Sequence, residues 1–248
     1  MIYGLYLSAN GLITQGMRAD VIANNLANTS TDGFKKDFLS LRQRDPEALR
    51  QGGPFPTTQR HLLAIGGAVE GDRSFSIFKQ GRLEKTNNPM DIALNGEGFF
   101  KYGDGQNVYY SRAGALTKAP DGFLKGPNGF PILSVDNEPI QIEGANFHMD
   151  ESGRVIVEGE EVGTVGIVTL DDINSLHKIG ENMYENLNGA NEIPSQAVLL
   201  TGHVEGASVS AVKEMTALIE AQRAYQANAK LISMQDETLG KAISQIAL

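Results

Sequence analysis

The residues that could do chemistry here are histidines, acidic pairs and glycine-rich turns, and their spacing does not suit them to it. His61, His148, His177 and His203 are isolated, and none has a second ligand at the i,i+4 spacing that sets two histidines on one helix face around a metal. Cysteine is absent, which excludes disulfides, zinc thiolates, iron–sulfur ligation and thiol nucleophiles. Asn95-Gly96-Glu97-Gly98-Phe99 has the Gly-x-Gly core of a phosphate loop. It lacks the third glycine and runs into Phe99-Phe100, a strand rather than the helix whose N-terminus would hold a phosphate. Gly103-Asp104-Gly105 reads as a turn, because the alternating ligands of a calcium loop do not follow. Asp171-Asp172 pairs two carboxylates, but sequence neighbours rarely converge on one substrate. Neither the P-loop pattern nor Gly-x-Ser-x-Gly occurs. No nucleophile, base and oxyanion site comes together, so the expectation is no enzyme, no cofactor and no metal.

Composition narrows the partners. The chain has 248 residues, 41% hydrophobic and 21% charged, which is globular material long enough for a sizeable core. Its 28 glycines point to many tight turns. Lys and Arg number 21 against 30 Asp and Glu, a net charge of −9, and no run of five basic residues occurs. Nucleic acid is therefore not an expected partner. No segment approaches 18 apolar residues, so no membrane insertion is expected. Residues 1–17 are uncharged, but no basic residue precedes Arg18 and Ser8, Asn10, Thr14 and Gln15 interrupt the stretch, unlike a cleaved signal peptide.

With no chemistry to position, the elements themselves carry the information. Leu5, Ala9, Leu12, Gly16, Ala19, Ala23 and Leu26 alternate steps of four and three, a heptad seam with small residues that let a second helix approach closely. This predicts a helix over Ser8–Asn28, stopped by the local hydrogen bonding of Thr29, Ser30, Thr31 and Asp32 and by Gly33. The same alternation returns after Ser208 through Ala211, Met215, Leu218, Gln222, Tyr225, Ala229, Ile232, Asp236, Leu239, Ile243 and Ile246, with Ser208 or Ser210 as the N-cap. Between them lie short β-rich runs separated by turn signals such as Asp121-Gly122, Asn128-Gly129 and Ser152-Gly153. The expected fold is α+β, with N- and C-terminal heptad helices pairing as a coiled coil and an all-β antiparallel domain inserted between them. The expected segments are 1–45 for the N-terminal helical part, 46–70 for a Pro/Gly-rich linker, 71–205 for the β domain and 206–248 for the C-terminal helix.

Three groups of residues carry a resemblance. They are Ile22-Ala23-Asn24-Asn25-Leu26-Ala27-Asn28 with Thr31-Asp32-Gly33-Phe34-Lys35; Gln80-Gly81-Arg82-Leu83, Met90-Asp91-Ile92-Ala93-Leu94, Gly96-Glu97-Gly98-Phe99-Phe100, Ser111-Arg112-Ala113-Gly114 and Asp121-Gly122-Phe123-Leu124; and Glu214–Asn228. In order and spacing these resemble the rod and hook family of bacterial flagellar axial proteins, along nearly the whole chain. The resemblance implies a structural subunit with no catalytic activity and no cofactor. It also implies terminal helices forming the inner shell of a tube, with the β domain outside. The partners it implies are copies of the chain, other flagellar rod proteins and the flagellar type III export apparatus, with a place in the basal-body rod spanning the periplasm. The length suits either the proximal or the distal rod. The opening Ile2-Tyr3-Gly4-Leu5-Tyr6 and the short 45–70 linker resemble proximal rod proteins more, while Ile179-Gly180-Glu181-Asn182-Met183-Tyr184 and Gln222-Arg223-Ala224-Tyr225 also resemble the distal rod. Val204-Glu205-Gly206-Ala207-Ser208-Val209 departs from the family's Leu-Glu-x-Ser-Asn-Val, which leaves the cap of the last helix open.

On this reading the heptad positions form the assembly interface: Leu5, Leu12 and Leu26 with Met215, Leu218, Tyr225, Ile232, Leu239 and Ile243. Burying a Leu or Ile contributes roughly 1.5–3 kcal/mol, so wet apolar stripes favour association, and the termini are expected to order on assembly. Asn24, Asn25 and Asn28 either set register between subunits through hydrogen bonds or cap the helix end; Gln222 and Asp236 pose the same alternative on the last helix.

Overall fold

The computed structural model describes residues 2–43, 68–103, 106–144 and 147–246. Two compact units emerge, one of Met1–Ala27, Asp37–Phe75 and Ser210–Leu248, the other of Asn28–Lys36 and Ser76–Val209.

The first unit is built on the terminal helices, α1 (Ile2–Ala27) and α2 (Ala211–Ile246). Neither contains proline, and apolar or small residues hold their seam positions except at Gln222 and Asp236 on α2. α1 stops where Thr31 turns its N–H onto the Asn28 carbonyl at 3.2 Å and its hydroxyl onto Asn28 Oδ1 at 3.2 Å. The Ser210 carbonyl accepts the first intrahelical bond of α2 from the Glu214 N–H at 3.0 Å, so Ser210 holds the cap position. The two helices pack antiparallel within one chain, Gly4 facing Gln235, Gly11 facing Asn228 and Gly16 facing Tyr225. At Gly11 an added Cβ would lie 3.1 Å from the Asn228 amide, so small α1 residues do admit the partner helix.

Two strands complete this unit, β1 (Lys36–Gln43) paired with β2 (Val69–Ile77). The sequence reading has no strand at 36–43. Hydrogen bonds from α1 explain it: the Asn25 amide accepts from the Asp37 N–H and donates to the Asp37 carbonyl, both at 2.8 Å, as a neighbouring strand would. Thr14 donates from Oγ1 to the Val69 carbonyl at 2.9 Å and ties β2 down likewise. The Phe38 and Phe75 rings meet across the pair at 5.6 Å. Of the proposed linker 46–70, residues to 67 lie outside the described residues; from Val69 the chain is in β2.

The second unit is antiparallel β. Its largest sheet has the order β13-β14-β6-β5-β12-β15, formed by Leu176–Gly180, Met183–Asn186, Val108–Ser111, Phe99–Gly103, Ile167–Leu170 and Glu192–Pro194. A three-stranded sheet joins β9 (Phe147–Met149), β10 (Arg154–Val157) and β11 (Glu160–Thr164). Two-stranded pairs join β3 (Leu83–Lys85) to β17 (His203–Glu205), β4 (Ile92–Asn95) to β16 (Val198–Thr201), and β7 (Thr117–Lys118) to β8 (Leu124–Lys125). Neighbours on β5 point to opposite faces. Phe100 enters a core with Ile92, Leu94, Tyr102, Leu124 and Val155, while Phe99 enters a second with Tyr110, Leu176 and Tyr184. The architecture is thus the expected one, terminal helices packed on each other with an inserted antiparallel β domain.

Candidate functional site

The segment after α1 belongs to the β unit, and charge explains why. Phe34 is buried, its carbonyl accepts from the Ser208 N–H at 3.0 Å, and the Ser208 hydroxyl accepts from the Lys36 N–H at 3.1 Å. Ser208, one of the two cap candidates, therefore clamps this segment instead of capping α2. Gly33 makes the turn possible: it sits at φ +69° and a Cβ there would fall 2.4 Å from the Ala113 nitrogen.

Lys35 then enters the interior at 1% exposure and places Nζ 2.6 Å from Oε1 of Glu205, itself 0% exposed. Arg112, 4% exposed, places Nη1 3.2 Å from the other carboxylate oxygen. Other polar atoms find backbone partners, while Arg112 Nε is buried without one. Lys35 Nζ donates to the Lys79 carbonyl at 2.8 Å and Arg112 Nη2 to the Gly96 carbonyl at 2.8 Å. The Gly81 N–H donates to Glu205 Oε1 at 2.6 Å. Gly81 is needed for close approach, since a Cβ would sit 2.0 Å from the Gly206 carbonyl oxygen. Burial pushes the pKa values of Lys35 and Arg112 down, and the Glu205 carboxylate opposes this in both. Two cations on one carboxylate, dry and hydrogen-bonded, make a clasp across four distant segments. The quoted motifs contain all three charges, yet periodicity gives them no role; the signal in the sequence is a charged residue beside a glycine turn in each segment.

A third buried cation, Lys101, lies against Asn137 Oδ1, the Val135 carbonyl at 3.3 Å and Glu192 Oε2 at 3.4 Å. Glu192 also accepts from the Tyr110 hydroxyl at 2.6 Å, and burial together with this carboxylate pushes that phenol's pKa up. These groups are held by one another and by the Val135 carbonyl. Among the described residues no three His, Cys, Asp or Glu side chains converge as a metal site. His148 and His177 are exposed, while His203 Nδ1 is 2.8 Å from the Thr201 carbonyl; His61, Asp104 and Gly105 lie outside the described residues. Asp171 binds the Asn191 amide and N–H at 2.9 and 3.0 Å, closing a loop.

The helical unit offers a different kind of site. On α2 the face turned inward is Glu214, Ala221, Asn228 and Gln235 together with Leu218, Ile232 and Leu239, so the predicted apolar seam is split. Of its other members, Met215 is 52% exposed and Ile243 66%, with Gln222 and Asp236 exposed beside them, while Tyr225, 41% exposed, lies at the edge with its ring near Gly16 of α1. Leu5, Leu12 and Leu26 on α1 are half-buried. The asparagines divide. Asn25 is 1% exposed and bridges to β1, Asn24 is exposed and reaches the Asp37 carboxylate at 3.2 Å, and Asn28 receives the Thr31 hydroxyl. No helix of the described residues is long and apolar enough to cross a membrane.

A helix pair that leaves apolar residues exposed, with an antiparallel β unit inserted between the helices in the sequence, is the architecture of a structural assembly protein. Comparison with known proteins gives the family. A model of the flagella basal body rod protein matches residues 5–35, one of the flagellar hook protein FlgE/F/G D1 domain matches 93–169, and one of the flagellar basal body rod FlgEFG protein C-terminal region matches 200–245. The chain is 32% identical over 262 residues to the flagellar basal-body rod protein FlgG of Buchnera aphidicola subsp. Acyrthosiphon pisum, covering 99% of this chain and 100% of that one. It is 32% identical over 246 residues to the rod protein FlgF of Caulobacter vibrioides, covering 98% and 97%. It is 30% identical over 266 residues to FlgG of Bacillus subtilis, covering 98% and 99%. The chain belongs to the flagellar basal-body rod proteins of the rod and hook family and is a structural subunit of the rod. Each clasp charge comes from a different matched region: Lys35 from the first, Arg112 from the second and Glu205 from the third.

Proposed function

We propose that the chain builds the rod by packing the outward faces of its terminal helices against neighbouring copies and other rod proteins, making a tubular drive shaft. The observation that carries this is the exposure of the seam residues Met215 and Ile243 in the single chain. Contacts that repeat one rotation and rise without closing make a tube rather than a ring. Leu5, Leu12, Asn24, Leu26, Asn28, Leu218, Gln222, Ile232, Asp236 and Leu239 line or flank this helical interface, and Asn25 serves it by anchoring β1. The rod spans the periplasm in this reading, and the chain reaches it through the flagellar type III export apparatus without a cleaved signal. It has no catalytic role.

The proximal rod is the position we favour. The alignment with the FlgF relative needs 246 positions for 98% of this chain, whereas the FlgG relative of Buchnera needs 262 for 99%, so the chain follows the FlgF length more closely. The distal rod is the second reading, because relatives named FlgG, the distal rod protein, also match end to end.

Met215→Asp and Ile243→Asp test the interface. The expected outcome is unchanged circular dichroism of the purified monomer, export at the usual level, and loss of the protein from isolated basal bodies together with motility. Normal incorporation of both variants sinks the proposal. Labelled protein located along basal bodies separates the two positions, label confined to the outer-ring end assigning the distal rod.

A further inference from the structure

The chain carries four Asn-Gly pairs, at 10–11, 95–96, 128–129 and 188–189. An asparagine before glycine can lose its side-chain amide because the unhindered glycine nitrogen reaches the side-chain carbonyl. That attack needs a backbone free to turn and a nitrogen not held elsewhere. The fold withholds both from three of the pairs. Asn10-Gly11 lies inside α1, where the Gly11 N–H is bound in the helix and Gly11 packs on Asn228. The Gly96 N–H donates to Gln80 Oε1 at 3.3 Å, its carbonyl accepts from Arg112, and Asn95 pairs with Val198 in the sheet. The Gly129 N–H donates to the Gly126 carbonyl at 2.9 Å, and Asn128 Oδ1 is already taken by the Phe130 N–H at 3.2 Å.

Asn188-Gly189 differs in each respect. The Asn186 side chain clamps the base of the loop, accepting from the Ala190 N–H at 3.0 Å and donating to the Ala190 carbonyl at 2.8 Å. Leu187 to Gly189 are thereby held out as an exposed tip, Leu187 at 59%. Gly189 sits at φ +67° with nothing within 4 Å of where a Cβ would be. Among the described residues neither Asn188 nor Gly189 has a hydrogen bond that would hold the nitrogen or the amide.

We propose that Asn188 is a deamidation site, the one the fold leaves reactive among the four pairs. The Gly189 backbone nitrogen gives its proton to solvent and attacks Cγ of Asn188, the new C–N bond closes a five-membered succinimide, and the Cγ–Nδ2 bond breaks as the side-chain nitrogen takes a proton from solvent and leaves as ammonia. Water then adds to either imide carbonyl and opens the ring to aspartate or isoaspartate. No electrons are exchanged, and water is the co-reactant. The product adds one negative charge to a chain already at −9, near Glu185 and Glu192, and in the isoaspartyl form lengthens the backbone at the loop tip.

Full-length protein is held in mildly alkaline buffer, sampled over days, digested and read by mass spectrometry for amide-to-acid conversion at each asparagine. Folded protein should convert at Asn188 several-fold faster than at Asn10, Asn95 or Asn128, and in urea the four rates should converge, since the protection comes from the fold. Gly189→Ala should slow conversion at 188 alone. Equal rates at the four sites in folded protein, a faster rate at another pair, or an intact Asn188 while another converts each overturns the proposal.

Discussion

Replacing Glu205 by glutamine removes the one anion from a site holding two buried cations, and the size of the loss can be worked out. At an effective dielectric of ~20, charges at the 2.6 and 3.2 Å separations of Lys35 and Arg112 from Glu205 attract by about 5–6 kcal/mol each. That is the scale needed to offset the several kcal/mol per ion lost on leaving water. Without the carboxylate both cations stay desolvated and repel each other, so Glu205→Gln should destabilise the β unit by about 3–5 kcal/mol. Lys35→Met is the informative contrast. It leaves Arg112 and Glu205 as a neutral pair, keeps the Gly81 N–H on the carboxylate, and orphans chiefly the Lys79 carbonyl, a loss of about 1–3 kcal/mol. The assay is urea unfolding of the full chain followed by circular dichroism and tyrosine fluorescence, the midpoint moving at unchanged slope. A Glu205→Gln variant within about 1 kcal/mol of the parent, or a Lys35→Met variant less stable than it, refutes the charge argument.

Three further outcomes follow from the same geometry. Burial depresses the Lys35 pKa below 10.5 against the pull of Glu205, so the unfolded chain binds a proton there that the native chain does not; stability should rise with pH between the folded value and 10.5, and the parent's margin over Lys35→Met should widen across that window. A flat or shrinking margin speaks against it. Asn25→Ala removes both hydrogen bonds to Asp37, an expected loss of about 2 kcal/mol seen as faster amide exchange in β1 with the β unit's unfolding midpoint unmoved. Asn25→Asp should do no better, because it loses the donor and adds a carboxylate beside Asp37. Gly33→Ala meets a left-handed φ and a backbone nitrogen at 2.4 Å; strain alone is about 1–3 kcal/mol, and a variant as stable as the parent would show that the turn can be remade.

The helices were legible because a period repeated over many residues outweighs local noise. β5 was legible as a short β-rich run between glycines; its adjacent Phe99 and Phe100 are both buried, sent to two different cores. The strand at 36–43 was not legible: its pairing is set by Asn25 and Asp37, two polar residues twelve apart that no hydrophobic count registers. The clasp was hidden for a related reason. Lys35, Arg112 and Glu205 are spread over 170 positions, and a lone charge in a turn reads as solvated until the fold brings its counter-ion. Their glycines were the better clue, because close backbone approach leaves Gly33 and Gly81 no alternative.

The split of the apolar seam on α2 carries the functional argument furthest. Met215 and Ile243 are exposed, whereas the face that meets α1 mixes Leu218, Ile232 and Leu239 with Glu214, Ala221, Asn228 and Gln235. Small and polar residues among these let the helices come close but dilute the apolar surface buried between them, and the leucines and isoleucine there are only half-buried, so pairing within the chain is modestly driven. The larger hydrophobic surface is thereby kept for something outside the chain. A subunit organised this way can hold its two helices in register before assembly and still gain most of its helical stability from neighbours. Backbone amides of α2 should then exchange far faster in the monomer than those of β4 to β6, and become protected in the assembled rod. Equal protection of α2 and the β core in the monomer would mean that the inner face, polar as it is, already suffices, and the exposed stripe would need another explanation.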